Sequence, residues 1–211
     1  MIEFTTINEI LDIVRSDDMP LNGWANLVAL CARVQPSEMW DSLGVPDVER
    51  DVREASDWIE QQLMKNDPEG NTRGIYLGLD TLNMDNDPEH FPCMAPPENV
   101  QIGGTTNCDP AMPRMDWSYD CQWHGDEHLI LGLRPLNHVY MDDRWPESLH
   151  DFADYAIFLG YSGVVLSEAL RRLKTRATFL AVWGFHDGDM FYLARKLDGL
   201  FERLAQLEFD N

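Results

Sequence analysis

The sequence predicts an α+β fold: N-terminal helices, a central, mainly antiparallel sheet carrying a long Pro-rich loop, and C-terminal helices packing on the sheet. Three observations predict it. Apolar residues recur at three- and four-residue steps through residues 1–66. They alternate with polar residues at 74–82 and 115–123. A leucine stripe at helical spacing returns near the C-terminus. These are the periods of amphipathic helices and of half-buried strands. At 211 residues the chain reads as one domain, with a helical part (1–66), a sheet and long loop (73–142), and helices with one strand (147–209).

The first helix is expected where Thr6 and Glu9 have capping-box spacing and Ile7, Ile10, Leu11 and Val14 share a face. A second spans Leu21–Val34, with Trp24, Leu27, Val28 and Cys31 inward. Pro36-Ser37-Glu38 starts a short third helix, and Gly44 stops it. Asp47 caps a longer helix carrying Val48, Val52, Ala55, Ile59 and Leu63, which ends at Asn66-Asp67-Pro68-Glu69-Gly70.

Gly74–Leu82 reads as a strand. Met115–Trp123 alternates more cleanly, placing Met115, Trp117, Tyr119, Cys121 and Trp123 on one face. His124-Gly125-Asp126-Glu127 is then a hairpin turn and His128–Leu133 the return strand, with Asn137–Met141 a further candidate. Residues 83–114 hold six prolines, a long connection in which Val100-Gln101-Ile102 is the only strand-like segment. Pro146 opens a helix over 147–159. Gly160-Tyr161-Ser162-Gly163 breaks it, and Val164–Leu173 forms the next. Thr178–Phe185 is a buried strand. Asp187-Gly188-Asp189 then caps a last helix carrying Met190, Leu193, Leu197, Leu200, Leu204 and Leu207, with Gly199 inside it at a point of close packing.

Composition excludes several functions. The chain carries 37 Asp+Glu against 16 Lys+Arg, a net charge of −21. Such a charge repels nucleic-acid phosphates and anionic membrane surfaces. No apolar run reaches the roughly 18–20 residues of a membrane span, and the N-terminus lacks the basic and apolar regions of a signal peptide. The expected compartment is the cytoplasm. Four cysteines in 211 residues are too few for a disulfide scaffold.

The acidity is concentrated: 74–133 contain ten acids and one base, Arg114. Asp116 and Asp120 fall on the polar face of the expected strand, Asp126 and Glu127 at its turn, and Asp80 on the neighbouring strand. Clustered carboxylates repel one another and steer a basic partner at long range. The leading expectation is therefore an acidic binding protein that captures or inhibits a basic protein, such as a nuclease toxin. Its contacts are Asp80, Asp116, Asp120, Asp126 and Glu127, with exposed Trp or Tyr as anchors. The alternative is a metal-dependent enzyme, a hydrolase using zinc held among His90, Cys93, Cys108, Cys121, His124 and His128. Cys121-x-x-His124 has ligand-like separation, but the sequence holds no CxxC knuckle, Walker loop or GxGxxG fingerprint. Asp85–Glu89 lacks the glycine and distal glutamate of an EF-hand, and Gly160–Val164 lacks the second glycine of a nucleophile elbow. A self-assembling subunit is a third reading, and the oligomeric state is open.

Overall fold

The computed structural model describes residues 3–80, 99–112, 114–136, 149, 152–174, 177–185 and 189–204. Three N-terminal helices, α1 (Phe4–Arg15), α2 (Pro20–Val34) and α3 (Val48–Asn66), precede the sheet. Their stripes bury the residues the periodicity selected: Ile10, Leu11 and Val14 in α1, Trp24, Leu27 and Cys31 in α2, and Val48, Val52, Ala55 and Ile59 in α3. Val28 is only half-buried, and Leu30 takes the inward position instead. Asp47 caps α3 by accepting from the Arg50 amide. Pro20 occupies the first turn of α2, where a missing N–H costs nothing. The Thr6–Glu9 capping box does not form. The helix begins two residues before Thr6, which is buried inside it, and Glu3 is the N-cap.

Seven strands form one sheet: β1 (Gly74–Asp80), β2 (Asn99–Thr105), β3 (Trp123–His124), β4 (His128–Leu129), β5 (Phe179–Phe185), β6 (Met190–Leu197) and β7 (Leu200–Arg203). The spatial order is β3-β2-β1-β5-β6-β7, with β4 also paired to β2. Only β1 and β5 run parallel; the other pairs are antiparallel. The fold class is α+β, as predicted. The Val100–Ile102 segment is the centre of β2, a full partner of β1 rather than a fragment within a loop. Among the described residues no helix is long and apolar enough to cross a membrane.

The segment 123–129 is not a hairpin. β3 pairs with Gly103 and Gly104, and β4 with Asn99 and Val100, so both lie in line along the same edge of β2. Between them the Gly125 amide still donates to the Ile102 carbonyl at 2.8 Å. Residues 124–127 are therefore a bulge in one interrupted edge strand. The expected return strand is only two residues long, since Leu131–Leu136 turns into a 3-10 helix. The candidate strand Asn137–Met141, the calcium-like Asp85–Glu89 and the start at Pro146 all lie outside the described residues.

A fourth helix, α4 (Gly160–Arg172), follows a π-helical stretch over Ala153–Leu159 without the expected break. It contacts α1, α2 and α3 on one side and the sheet on the other, so its residues 160–170 are all buried. The glycines serve that packing. A Cβ on Gly163 would meet Trp183 at 2.7 Å and Val14 at 2.9 Å. Ser162 is sealed in the helix, its hydroxyl donating to the Leu159 carbonyl. The basic run at the end of α4 is paired: Arg171 and Arg172 both donate to the buried Glu168, Arg172 also to Glu49, and Arg203 from β7 to Glu168 and Asp17.

The expected last helix is instead the β6–β7 hairpin. Leucine steps of three and four residues fit a helix, but Asp198-Gly199 is also a strong hairpin signal. Asp198 has φ 49° and Gly199 φ 82°, the left-handed values of a two-residue turn. The Asp187–Asp189 cap accordingly has no helix to cap: β6 begins at Met190.

One buried carboxylate joins the helical layer. Asp51 of α3 is 1% exposed. It accepts from the Tyr161 hydroxyl of α4 at 2.7 Å, the Gly132 amide of the 131–136 turn at 2.9 Å, and the Arg50 guanidinium. Burial, then the bond to Asp51, pushes the Tyr161 hydroxyl far above its ordinary range.

Two stability predictions follow from these contacts. Gly199→Ala places a Cβ in a left-handed turn and is expected to lower unfolding free energy by about 1–2 kcal/mol in urea; a helical position would instead gain up to about 1 kcal/mol. Asp51→Ala leaves the Gly132 amide and the Tyr161 hydroxyl without their acceptor and is expected to cost about 3 kcal/mol. Tyr161→Phe, which removes one donor, costs about 1 kcal/mol on the same scale.

Candidate functional site

The sheet has two buried faces. Ile75, Leu77, Leu79, Val100, Ile102, Phe179, Ala181 and Trp183 join the core under the helices. Tyr76, Leu180, Val182 and Tyr192 form a separate apolar cluster with Cys108, Trp117 and Leu204. Residues 106–122 supply most of that second cover. Their base is closed by Gln122, whose side-chain oxygen accepts from both the amide and the hydroxyl of Thr106, while its own amide donates to Gly104.

Met115–Trp123 is not the strand its alternation predicts. It contains a 3-10 helix over Asp116–Tyr119, with Ser118 bonded back to Met115 and Asp120 to Trp117. A 3-10 helix repeats every three residues. Met115, Ser118 and Cys121 therefore turn inward together, Trp117 is buried beside them, and Tyr119 faces out. Trp117 lies over Gly74 at the start of β1: a Cβ there would meet its ring at 2.8 Å and Thr105 at 2.9 Å. The Trp117 indole N–H has no hydrogen-bond partner among the described residues, so packing holds this side chain.

The outer side of this cover is acidic and carries exposed apolar groups. Tyr119 is 81% exposed and Met112 63% exposed. Asp109, Asp116 and Asp120 are exposed around them, with Arg114 the one base in the segment. None of the three carboxylates is ion-paired among the described residues. Asp109 and Asp116 both act on Cys108, and Asp120 on Cys121, which places their charges against the cluster beneath.

The other acids selected from the sequence lie elsewhere. Asp80 ends β1 opposite Asn99, six residues from Gly74 and so about 20 Å along the strand from the Trp117 contact. Glu127 accepts from the Asn99 side chain at that same end. Asp126 sits in the bulge and fastens it to α3. Its carboxylate accepts from Lys65 at 2.8 Å and from Gln62, and its carbonyl accepts from the Trp58 indole at 3.0 Å. The Lys65 and Gln62 bonds hold its carboxyl below the ordinary range. Asp116 and Asp120 thus share one turn, while Asp80, Asp126 and Glu127 belong to other parts of the sheet. Tyr119, expected on the buried face, is the outward aromatic. Asp109 and Met112 were not singled out in the sequence, and the local signal for them is Pro110, which lies in the turn between them.

The cysteines and histidines are similarly divided. Cys108 and Cys121 pack in the second cluster. Burial, reinforced by Asp109 and Asp116, pushes the Cys108 thiol up to about 12, and burial with Asp120 pushes Cys121 up to about 11. A metal would have to displace those protons. His124 is exposed on β3. His128 stacks on Trp58, ring centroids 4.9 Å apart. His90 and Cys93 lie outside the described residues. Among the described residues no three His, Cys, Asp or Glu side chains converge as metal ligands.

The His128 imidazole is pushed below its ordinary pKa by burial, against the opposing pull of Glu54 and Asp51. The folded state therefore favours neutral His128. Its contribution to stability is complete above about pH 6.5, the unfolded value, and is lost as pH falls toward the lower folded value. Urea midpoints between pH 8 and 5 are expected to fall more steeply for the parent than for His128→Phe. At Gly74, substitution by valine is expected to expel Trp117 and cost about 1–3 kcal/mol. Limited proteolysis then cuts within 106–122 well before the rest of the chain.

The chain matches no protein-family model, no curated protein and no solved structure.

Proposed function

We propose that this chain is a binding module that captures a basic protein partner and inhibits it by occupying its surface. The observation that carries the reading is Tyr119: among the described residues the most exposed of the large apolar side chains, on a turn anchored by Trp117, flanked in sequence by Asp116 and Asp120, which make no ion pair among those residues. A surface tyrosine, with Met112 also exposed in the same segment, offers apolar area at low entropic cost, the chemistry of an interface anchor. Asp109, Asp116 and Asp120 supply the complementary charge for Lys or Arg around it. The net charge of −21 draws a cationic protein from a distance and disfavours acidic competitors. Asp80 and Glu127, at the far end of β1, extend the acidic field without joining the same contact. The module acts in the cytoplasm in this reading, where Cys31, Cys108 and Cys121 stay as free thiols.

The reading predicts a partner of high isoelectric point, recovered from source cells at about 50 mM salt and released as salt screens the contact. Against that purified partner, Tyr119→Ala is expected to weaken binding by about 30-fold or more, the effect of losing an interface anchor. Asp116→Asn with Asp120→Asn is expected to slow association and flatten the salt dependence. A partner that binds all three forms equally, with unchanged salt dependence, overturns the reading.

A further inference from the structure

A cavity of about 620 Å3 opens where α3 ends, between the 67–72 loop and the starts of β1 and β5. It lies on the helical side of the sheet, because its floor residues Ile75 and Phe179 belong to the main core. The acidic turn covers the opposite face, so the cavity is independent of the partner surface proposed above. Its volume falls within the roughly 300–1,000 Å3 typical of small-molecule sites.

The walls are apolar: Leu63, Met64, Pro68, Ile75, Ala177 and Phe179. Met64 is 67% exposed, although it lies on a helix whose other apolar residues are largely buried. The charged rim is uneven, with Glu60, Asp67 and Glu69 against one base, Lys174. Asp67 is fully used within the fold, one oxygen accepting from the Asn71 amide and the other from the Thr72 amide. Glu60 gives one oxygen to the Lys174 amide, and Glu69 one to the Asn71 side chain. The second oxygen of each, Glu60 Oε2 and Glu69 Oε1, has no hydrogen-bond partner among the described residues. A ligand therefore meets apolar walls, two carboxylate oxygens able to accept, and a negative net charge.

From this geometry we propose that the cavity binds a small amphiphilic amine: an alkyl or aryl chain against Leu63, Ile75 and Phe179, and an ammonium head at Glu60 and Glu69. An ammonium supplies only donors, which the two unused oxygens can accept in exchange for water, and gains from the field of a protein of charge −21. Among the described lining residues a carboxylate of the same chain length meets one base, Lys174, opposed by three acids. The apolar tail provides the burial that separates a site from general attraction to an acidic surface.

The test is a titration of the full chain at pH 7 with n-octylamine, with n-octanoate as the chain-matched anion, followed by amide NMR. Octylammonium is expected to give saturable shifts concentrated at residues 60–75 and 177–179, with at least tenfold weaker response to octanoate. Glu60→Gln with Glu69→Gln keeps the internal acceptors and the fold, and is expected to weaken octylammonium at least tenfold. Met64→Arg, at the exposed mouth, is an independent variant expected to do the same. Three results overturn the proposal: octanoate binding as tightly as octylammonium, shifts that spread over the acidic surface without saturating, or undiminished binding in both variants. None of these bears on capture of a basic protein at Tyr119, which is read with a different ligand on a different face.

Discussion

The pairing of β1 with β5 is the constraint on which the rest of the structure depends. Among the described residues these are the only parallel neighbours in the sheet, and Gly74–Leu79 and Phe179–Gly184 are buried along their length. A parallel pair in mid-sheet must be covered on both faces. One cover comes from the helices, with α4 inserted between the sheet and α1–α3. Among the described residues, most of the other comes from 106–122. Trp117, seated over Gly74, fixes that segment to the same strand that the helices cover from behind.

This arrangement makes the acidic turn a by-product of a packing requirement, with a useful result. The same loop that presses Cys108, Met115, Trp117, Ser118 and Cys121 onto the sheet presents its exposed residues to solvent. Tyr119, Met112 and the carboxylates of Asp109, Asp116 and Asp120 are therefore displayed from a preformed base. Preorganisation of this kind reduces the ordering entropy lost on binding. The remaining polar nodes act inside the fold. Asp51 ties α3, α4 and the 131–136 turn, Glu168 gathers three arginines, and Asp126 locks the interrupted edge strand to α3. Several acids that raise the net charge thus hold elements together, and charge counting cannot distinguish them from acids that face only solvent.

The helices of 1–66 were legible because their signals are local: Asp47 as a cap, and apolar stripes at three- and four-residue steps. The strands at 74–80 and 179–185 were legible for the same reason. Three readings failed where one local pattern fits two structures. Alternation from Met115 to Trp123 reads as a strand, yet a 3-10 turn buries Met115 and Cys121 equally well and reverses Tyr119. The Leu193–Leu204 steps fit a helix, but folding the chain at Asp198-Gly199 brings the Leu204 amide to the Leu193 carbonyl. Gly160 and Gly163 read as a break, whereas their missing side chains let α4 lie against Leu27, Val14 and Trp183. Of the candidate site, Asp116 and Asp120 were legible from composition. Their separation from Asp80, Asp126 and Glu127 was not, because it depends on which edge of β2 the 123–129 segment joins.

Residues 106–122 form a folded cover that displays Tyr119 and its neighbouring carboxylates from a fixed base. Native-state amide hydrogen exchange of the unbound protein tests this most directly. The account predicts that the amides of Ser118, Asp120 and Gln122, bonded to Met115, Trp117 and Gly104, exchange much more slowly than an unstructured chain. It also predicts that their protection rises and falls with that of β1 when the protein is destabilised. Exchange of 115–122 at random-coil rates while β1 remains protected would contradict it, because the turn would then not be anchored to the sheet.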